Sequence, residues 1–228
     1  MKCAIMQPTY IPWSGYFNLI SNVDRFVFLD DVQFEKQSWQ ARNRILLQGK
    51  ECLLSIPVCR TGLDTIISKV VISNGVDWRR KHWMTLVSAY GKSRFGKELL
   101  DFLAPFFSGP QPASLSEFNQ LIIIRLAEAL QLSTSFYRAS DLVCGGERSD
   151  HLIRIINTLN CSEYLSPRGS AVYLEEDRFE ELSGVRLEYQ DFKPASYTQD
   201  KASEFVSHLS IVDVIANIGF SSAKGYIL

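Results

Sequence analysis

Two polar, ring-rich segments carry the residues whose types suit ligand chemistry. The first is MQPTYIPWSGYF, residues 6–17, in which Gln7 offers an amide. Tyr10, Trp13 and Tyr16 offer flat faces with polar tips, which suit stacking on a base or a sugar ring. A loop packed by its own aromatic side chains explains the segment equally well when it is taken alone. The segment has no cation beside its rings, which argues against a membrane-facing patch.

The second segment is DDVQFEKQSWQARNRI, residues 30–45, which combines two carboxylates with amides, a tryptophan and two arginines. Neighbouring carboxylates in an extended chain point in opposite directions. One of Asp30 and Asp31 is therefore expected to face a site as a base or hydroxyl acceptor, and the other to cap the following turn. Arg42 and Arg44 are predicted to hold a phosphate or carboxylate by paired hydrogen bonds. The competing interpretation, a solvated loop with fortuitous charge, is less typical of this composition.

Two further segments carry weaker signals. In YLSPRGSAVYL, residues 164–174, a strand is predicted to run into a helix, so that backbone N–H groups near Ser166 and Arg168 could face an anion. An ordinary strand-to-helix turn is the first interpretation there, because the lysine of a phosphate-binding loop is missing.

The segment HLSIVDVIANIG, residues 208–219, places Asp213 and Asn217 on one helical face. Buried polar groups of this kind are usually satisfied internally, so a structural role is favoured over ligand binding. His208 is the only histidine near such a cluster and is the natural candidate for a general base. Cys144 is a weak candidate nucleophile, because no matching histidine lies near it in the sequence.

Composition limits the partners that the chain is expected to have. The net charge of −1 implies no basic surface, so nucleic-acid binding is not expected. No apolar run is long enough to span a bilayer, and the first residues lack the pattern of a signal peptide, so a cytoplasmic protein is expected. Five scattered cysteines without Cys-x-x-Cys spacing fit reduced thiols, and nothing in the sequence announces a metal site.

Alternating strand and helix patterns at both ends of the chain predict an α/β fold with a partly parallel sheet. We expect a single domain over residues 1–228, in which the helices of residues 77–132 form an insertion or a lid. Parallel strands share their carboxyl edge, where ligands gather. The two ring-rich segments are therefore predicted to be two walls of one pocket. Four side chains are expected to converge on that pocket: Gln7, Tyr10, Asp30 and Arg44.

Apolar spacing also predicts individual elements. Strands are predicted over residues 2–6, 25–31, 63–73 and 135–142, and a final helix over residues 203–219. A hairpin is predicted over residues 44–58, with its turn at Gln48-Gly49-Lys50, because Gly suits the positive dihedral angles of a tight turn. A helix is expected to end near Pro105, and Ser116 is expected to cap the helix that follows.

The motifs MQPTYIPWSGYF, FVFLDDVQFEKQSWQARNRI and LSIVDVIANIG resemble those of the WbqC-like family of bacterial proteins, over nearly the whole chain from Met6 to Gly219. Members of that family occur with O-antigen and other surface-polysaccharide genes, which implies work on an activated sugar or its amino-sugar precursor. The resemblance carries no established catalytic role. The motif residues that it carries over are Gln7, Pro8, Tyr10, Pro12, Gly15, Tyr16, Asp30, Asp31, Gln33, Trp39, Asn43 and Arg44.

A weaker resemblance links the layout of the first two motifs to nucleotidyltransferase-like α/β domains of Rossmann type. In those domains the first turn reads His-x-Gly-His, whereas this chain has Trp13-Ser14-Gly15-Tyr16. The resemblance thus implies a shared fold in which histidine-assisted adenylyl chemistry is lost or altered.

These observations lead to the hypothesis of a transferase in surface-polysaccharide precursor synthesis. It would move an acyl or aminoacyl group to the amine of an amino sugar or nucleotide-linked amino sugar, with an acyl or aminoacyl carrier as a candidate partner. The alternative is a glycan- or nucleotide-binding protein without catalysis. The sequence identifies no cofactor. Asp30 and His208 are the predicted catalytic residues. The predicted substrate-binding residues are Gln7, Tyr10, Trp13, Tyr16, Asp31, Gln33, Trp39, Arg42, Asn43, Arg44, Ser166 and Arg168.

Overall fold

Short strands built from β-branched, aromatic and other apolar residues form the centre of the computed structural model, which describes residues 1–228. The seven strands are β1 Lys2–Met6, β2 Arg25–Phe28, β3 Arg42–Leu47, β4 Lys50–Ser55, β5 Ser135–Arg138, β6 Glu163–Ser166 and β7 Arg186–Tyr189. Five of them make one sheet in the order β5-β2-β1-β6-β7, and every neighbouring pair in it is parallel. The α/β fold of Rossmann-like type is confirmed. The antiparallel pair β3–β4 forms a separate hairpin.

The order in which strands are added to the sheet changes direction beside β1. Strands β2 and β5 lie on one side of β1, and β6 and β7 lie on the other. Such a reversal leaves a crevice outside the carboxyl ends of the two central strands, which is where open α/β sheets bind ligands. The segments that follow Met6 in β1 and Ser166 in β6 therefore lie at the edge where a site is expected.

Nine helices surround the sheet. They are α1 Ser14–Ser21, α2 Trp78–Tyr90, α3 Gly96–Phe107, α4 Leu115–Ala129, α5 Ala139–Leu142, α6 Arg148–Thr158, α7 Ala171–Glu176, α8 Phe179–Ser183 and α9 Ile211–Ile227. None of them is both long enough and apolar enough to cross a bilayer.

The two faces of the sheet carry two separate hydrophobic clusters. Alternation along β1 sends Ala4 into a cluster of 39 buried residues and sends Cys3 and Ile5 into a cluster of 13. Helices α1, α4 and α9 pack in the large cluster, and α6 packs in the small one. The helices of the predicted insertion contribute fully buried side chains to the large cluster, among them Leu86, Leu103 and Ile122.

The β3–β4 hairpin turns where Gly was predicted to permit it. Gln48 and Gly49 both have positive φ, at 52° and 75°, as a two-residue hairpin turn requires. The hairpin is joined to its neighbours by two long-range bonds: the Tyr90 hydroxyl accepts the amide of Leu46, and the Arg44 carbonyl accepts the amide of Ser210.

Several predicted elements are wrong. Residues 63–73 form a 3₁₀ turn, Ile67–Lys69, and isolated bridges to three different segments, because no single partner strand runs beside them. The strand over residues 135–142 ends at Arg138, because Asp30 accepts the amide of Ser140 and starts α5 there.

The helix boundaries also differ at three places. The last helix begins at Ile211 with Ser210 as its N-cap, because His208 is held at a φ of 58°, outside helical geometry. Helix α4 is capped by Ser114, two residues before the predicted cap. Helix α3 continues past Pro105 to Phe107, since a proline in the last turn removes only one backbone hydrogen bond.

Candidate functional site

Three clefts lie near the carboxyl ends of the strands. The serine cleft, of about 500 Å³, is lined by Asp30, Asp31, Ser116, Arg138 and Ser140 among others. The histidine cleft, of about 790 Å³, is lined by Asp31, Gln33, Arg148, His151 and Tyr173 among others. The aromatic cleft, of about 340 Å³, is lined by Trp13, Tyr16, Trp39, Arg44 and His208 among others. Asp31 and Gly145 belong to both the serine and the histidine clefts, so these two clefts adjoin.

Asp30 follows β2 and is only 2% exposed. Its Oδ1 accepts the backbone amide of Ser140 at 3.0 Å, and its Oδ2 accepts the hydroxyl of the same residue at 3.0 Å. Oδ2 also accepts the amide group of Gln120 at 3.2 Å and the hydroxyl of Ser116 at 3.4 Å. Both carboxylate oxygens are therefore occupied by groups that tie β2 to α4 and α5. Asp30 therefore braces the start of α5, 110 residues away, and does not cap the turn that follows it, as one member of the pair was expected to do.

Asp31 points to different surroundings, as adjacent residues in an extended chain do. Its Oδ1 lies 3.1 Å from Nε2 of His151, which sits in the second turn of α6. Oδ2 takes no part in that contact, so it can accept a proton or a hydrogen bond from a ligand. The side chain of Asp31 is 20% exposed and that of His151 is 8% exposed, so water reaches the carboxylate more readily than the ring.

The ring of His151 faces oxygen on both sides. Nδ1 lies 2.6 Å from the carbonyl oxygen of Gly145, which can only accept, so Nδ1 carries a proton. The contact of Nε2 with the carboxylate then needs a second proton, held between Nε2 and Oδ1 of Asp31. Hydrogen bonding to Asp31 raises the pKa of His151 above its ordinary value, against an opposing effect of burial. The pair thus holds one proton between His151 and Asp31, at the place where the serine and histidine clefts meet.

The segment that carries the Gly145 carbonyl has left-handed backbone dihedral angles. Gly145 and Gly146 have φ values of 61° and 87°, which glycine adopts without steric cost. A Cβ at Gly146 would lie 2.5 Å from Oδ2 of Asp150 and 3.0 Å from the amide of His151. Glycine at this position therefore allows α6 to start close enough for His151 to reach both partners.

The Asp31–His151 contact predicts a pH-dependent contribution to stability. A histidine whose pKa is higher in the folded than in the unfolded state stabilises the fold fully below its ordinary value, here 6.5, and loses that contribution as the pH rises through the folded value. We expect the difference in unfolding free energy between wild type and His151→Gln to shrink as the pH is raised from 6 to 9. Urea denaturation at a series of pH values measures it. His208→Gln is the control, because the ring of His208 contacts Ser207 and Trp13 and not a carboxylate. A difference that grows with pH would contradict the pairing.

The aromatic cleft joins the two ring-rich segments. Trp13 stacks on His208 with ring centroids 4.8 Å apart, and Tyr16 donates its hydroxyl to the carbonyl of Gln7. From the second segment come Trp39, which is 49% exposed, and Arg44. The prediction that these segments are walls of one pocket is therefore met by Trp13, Tyr16, Trp39 and Arg44.

The four side chains expected to converge do not do so. Tyr10 is fully buried, and its hydroxyl bonds to Nδ1 of His82 at 3.0 Å. Burial lowers the pKa of His82 to about 4, so the ring that shares this bond is neutral near pH 7. Gln7 accepts a hydrogen bond from Gln40, Asp30 lies in the serine cleft and Arg44 lies in the aromatic cleft. The physical reason is that Tyr10 points into the core while Asp30 points toward α5.

His208 and Asp30, the two candidates for the general base, line different clefts. His208 is exposed and forms one wall of the aromatic cleft, where its Nδ1 lies 2.8 Å from the Ser207 hydroxyl. The base candidate that both the serine and the histidine clefts share is Asp31.

The other predicted binding residues have varied surroundings. Gln33 lines the histidine cleft and donates to the Leu63 carbonyl. Asn43 is 5% exposed and donates to the carbonyls of Tyr10 and Ile11, so it holds the opening loop in place. Ser166 is fully buried.

Two arginines complete the set. Arg168 is exposed and pairs with Asp191 at 3.0 Å. The guanidinium of Arg42 lies 5.9 Å from the ring centroid of Trp39.

The polar residues of the last helix are structural, as favoured. Asp213 is fully buried and accepts hydrogen bonds from Tyr90, Tyr197 and Gln199 at 3.0, 2.7 and 3.0 Å. Asn217 donates to the backbone carbonyl of Asp213. Ser210 donates to the Ile11 carbonyl, so the start of α9 braces the opening loop.

Sequence reasoning missed His151 and Ser140, the residues that give the two carboxylates their different roles. The signal present in the sequence was Gly145-Gly146 before a helix that carries a histidine on its second turn. No group of three or more His, Cys, Asp or Glu side chains is placed to hold a metal ion.

Comparisons with known proteins agree on the kinship of this chain. The model of the WbqC-like protein family matches residues 7–224. The uncharacterized protein Rv1507c of Mycobacterium tuberculosis is 30% identical over 218 residues, which cover 96% of this chain and 94% of that protein. No solved structure matches the chain.

Proposed function

The chain belongs to the WbqC-like protein family, and from that premise we propose that it is a transferase of surface-polysaccharide precursor synthesis. It transfers an acyl or aminoacyl group to the amine of an amino sugar, free or linked to a nucleotide. The observation that carries the proposal is the Asp31–His151 pair at the junction of two clefts. The association of the family with surface-polysaccharide genes supports an amino sugar as the acceptor.

The chemistry of such a transfer needs one proton acceptor at the amine. The nitrogen attacks the acyl carbon, a C–N bond forms, and the bond from the acyl carbon to its carrier breaks as the carrier leaves with the electron pair. The proton on nitrogen becomes acidic while the C–N bond forms, and Oδ2 of Asp31 accepts it. His151, donating from Nε2 to Oδ1, orients the carboxylate and stabilises its charge.

The serine and histidine clefts provide separate room for the two reactants. The serine cleft is lined mainly by hydroxyl, carboxylate and cationic groups, which suit the hydroxyls and amine of a sugar. The histidine cleft is larger and carries Tyr173 beside the two glycines, which leave room for an acyl donor and its carrier. Arg148, which also lines it, is paired with Glu176 and Asp177. Asp31 lies where the two meet, so the amine and the acyl carbon can both reach it.

The proposal is tested by incubating the purified protein with nucleotide-linked and free amino sugars, in the presence of acetyl coenzyme A or an aminoacyl thioester. We expect one acceptor to gain the mass of the acyl group in a mass spectrum, and Asp31→Asn to abolish most of that gain. Thermal shift assays on the same mixtures report binding. Stabilisation by a sugar without a product from any donor would contradict the transferase and favour a non-catalytic binding protein.

A further inference from the structure

We infer that the aromatic cleft binds the nucleoside diphosphate of the acceptor, so that the amino sugar is nucleotide-linked and not free. This inference rests on the proposed transfer. It assigns a separate subsite to the aromatic cleft, which contains neither Asp31 nor His151. The cleft is lined by Met6 at the end of β1, one of the two strands at which the strand order reverses. Open α/β sheets bind nucleotides in this position.

The walls of the cleft suit a planar base. Trp39 is 49% exposed although Phe34, Ala41 and Ile45 of the same segment are buried, so a large aromatic face is left open to a ligand. The indole of Trp13 stacks on His208 and lies directly over Gly15, where a Cβ would be 2.1 Å from the indole. Both tryptophans line the cleft, so a base that enters it can stack on the open face of Trp39 beside an indole that is already held in place.

Unpartnered donors at the same place suit a phosphate. The guanidinium carbons of Arg42 and Arg44 lie 5.9 and 5.5 Å from the Trp39 ring centroid. The Nε atom of each arginine is buried without a hydrogen-bond partner, and so is the hydroxyl of Thr9, which is 9% exposed and lines the cleft. Buried donors are normally paired, so the two unpaired donors that line the cleft, on Thr9 and Arg44, indicate a missing acceptor. The unpaired Nε of Arg42 lies two residues from Arg44 on β3. Glu51 pairs with Arg44 and leaves Arg42 without an ion pair.

The aromatic and histidine clefts lie on opposite faces of one sheet edge. Met6 packs on the side of the large hydrophobic cluster, and Leu29, which lines the histidine cleft, packs on the side of the small one. The amide of Leu29 donates to the carbonyl of Met6 at 3.0 Å, so the two clefts begin at hydrogen-bonded neighbours. The acceptor therefore approaches Asp31 from the face of the aromatic cleft, and the acyl donor approaches it from the histidine cleft on the other face.

The test is isothermal titration calorimetry with UDP, GDP, CDP and dTDP in turn, together with uridine and inorganic pyrophosphate. We expect one diphosphate to bind saturably. Pyrophosphate, which lacks the base, and uridine, which lacks the phosphates, should bind more weakly. Trp39→Ala should raise the dissociation constant by about 5- to 150-fold, the loss of affinity typical of one base–aromatic stack. Trp39→Phe should recover most of the affinity, because it restores an aromatic face. Leu53→Ala is the matched control, because Leu53 is an exposed apolar residue of the hairpin that follows Trp39 and lines none of the three clefts.

Two results would overturn the inference: no saturable binding of any of the four diphosphates, or equal affinity in Trp39→Ala and wild type. The outcome is separate from that of the transfer reaction. Asp31→Asn should bind the diphosphate as tightly as wild type, since Asp31 lies in the other clefts. Binding without acyl transfer would therefore remove the proposed function alone, and transfer to a free amino sugar without nucleotide binding would remove this inference alone.

Discussion

We expect Asp31→Asn to lower turnover of the amino-sugar acceptor by about 10²- to 10⁴-fold, the usual contribution of a positioned general base. The amide of asparagine cannot take the proton that leaves the attacking nitrogen. The substitution conserves size, and Asp31 carries no backbone cap, so the fold should be retained. Steady-state rates with the acceptor and donor found by mass spectrometry measure the loss.

Asp64→Asn is the matched control, because this carboxylate is exposed and lines none of the clefts. It should leave the rate unchanged. Turnover of Asp31→Asn within threefold of wild type would rule out Asp31 as the base.

A parallel measurement on His208→Gln tests the histidine that was predicted from the sequence as a general base. Its ring stands in the aromatic cleft, so it should affect the Michaelis constant more than the turnover number.

His151 acts through Asp31 and is a positioning residue. His151→Gln removes the proton that Nε2 shares with Oδ1 while glutamine still reaches the same region. We expect a smaller loss of turnover than in Asp31→Asn, together with a displaced pH–rate profile, because the charged partner of the carboxylate is gone. A purely structural histidine would change stability and leave the pH profile in place.

Local patterns in the sequence were enough to predict the sheet. Strand β1 was expected at residues 2–6 and is found at Lys2–Met6, and β2 was expected over residues 25–31 and is found at Arg25–Phe28, three residues shorter. Both are short apolar runs bounded by polar or turn residues, so neighbouring residues carry the signal. The hairpin was predicted for the same reason, since the turn at Gly49 needs only local chemistry.

The site could be predicted only in part, because its decisive contacts join distant parts of the chain. Asp31 meets His151 across 120 residues, and Asp30 meets Ser140 across 110. Local reasoning established that the two carboxylates must differ, but the partner of each depends on how α5 and α6 return to the end of β2. The aromatic cleft was predicted better, since its two walls follow adjacent strands. Tyr10 was misplaced because a tyrosine in a loop packs inward as readily as it faces a ligand.

The polar residues of α9 could likewise have faced a ligand or been bonded within the protein, and the structure shows that they are bonded within the protein. Asp213 is fully buried and holds three hydrogen-bond donors: the hydroxyls of Tyr90 and Tyr197 and the amide of Gln199. These donors tie α2 and the irregular segment after β7 to the last helix. No cation pairs with the carboxylate, so its stabilisation comes from these hydrogen bonds, from a longer one of 3.5 Å donated by Asn217, and from its place in the first turn of α9.

We expect Asp213→Ala to lower the free energy of unfolding by about 2–5 kcal/mol, since each buried donor left without a partner costs roughly 1–3 kcal/mol. That is a large share of the total for a domain whose stability is on the order of 5–15 kcal/mol. Urea denaturation followed by circular dichroism measures it. Asp200→Ala is the control, because its side chain is exposed and only its backbone amide bonds to Asn217. A loss of under 1 kcal/mol in Asp213→Ala would contradict the bracing role.

The pH dependence of the same substitution separates charge from hydrogen bonding. Burial raises the pKa of Asp213 above its ordinary value of 3.8, against the opposing effect of its three donors. A carboxyl whose folded pKa is raised binds its proton more tightly in the folded state, so its contribution to stability grows as the pH falls through the folded value and levels off below 3.8. The unfolding free energy of wild type should therefore rise relative to Asp213→Asn over that window, because asparagine does not titrate. If the difference falls instead as the pH is lowered, the three donors outweigh burial and the pKa of Asp213 is depressed.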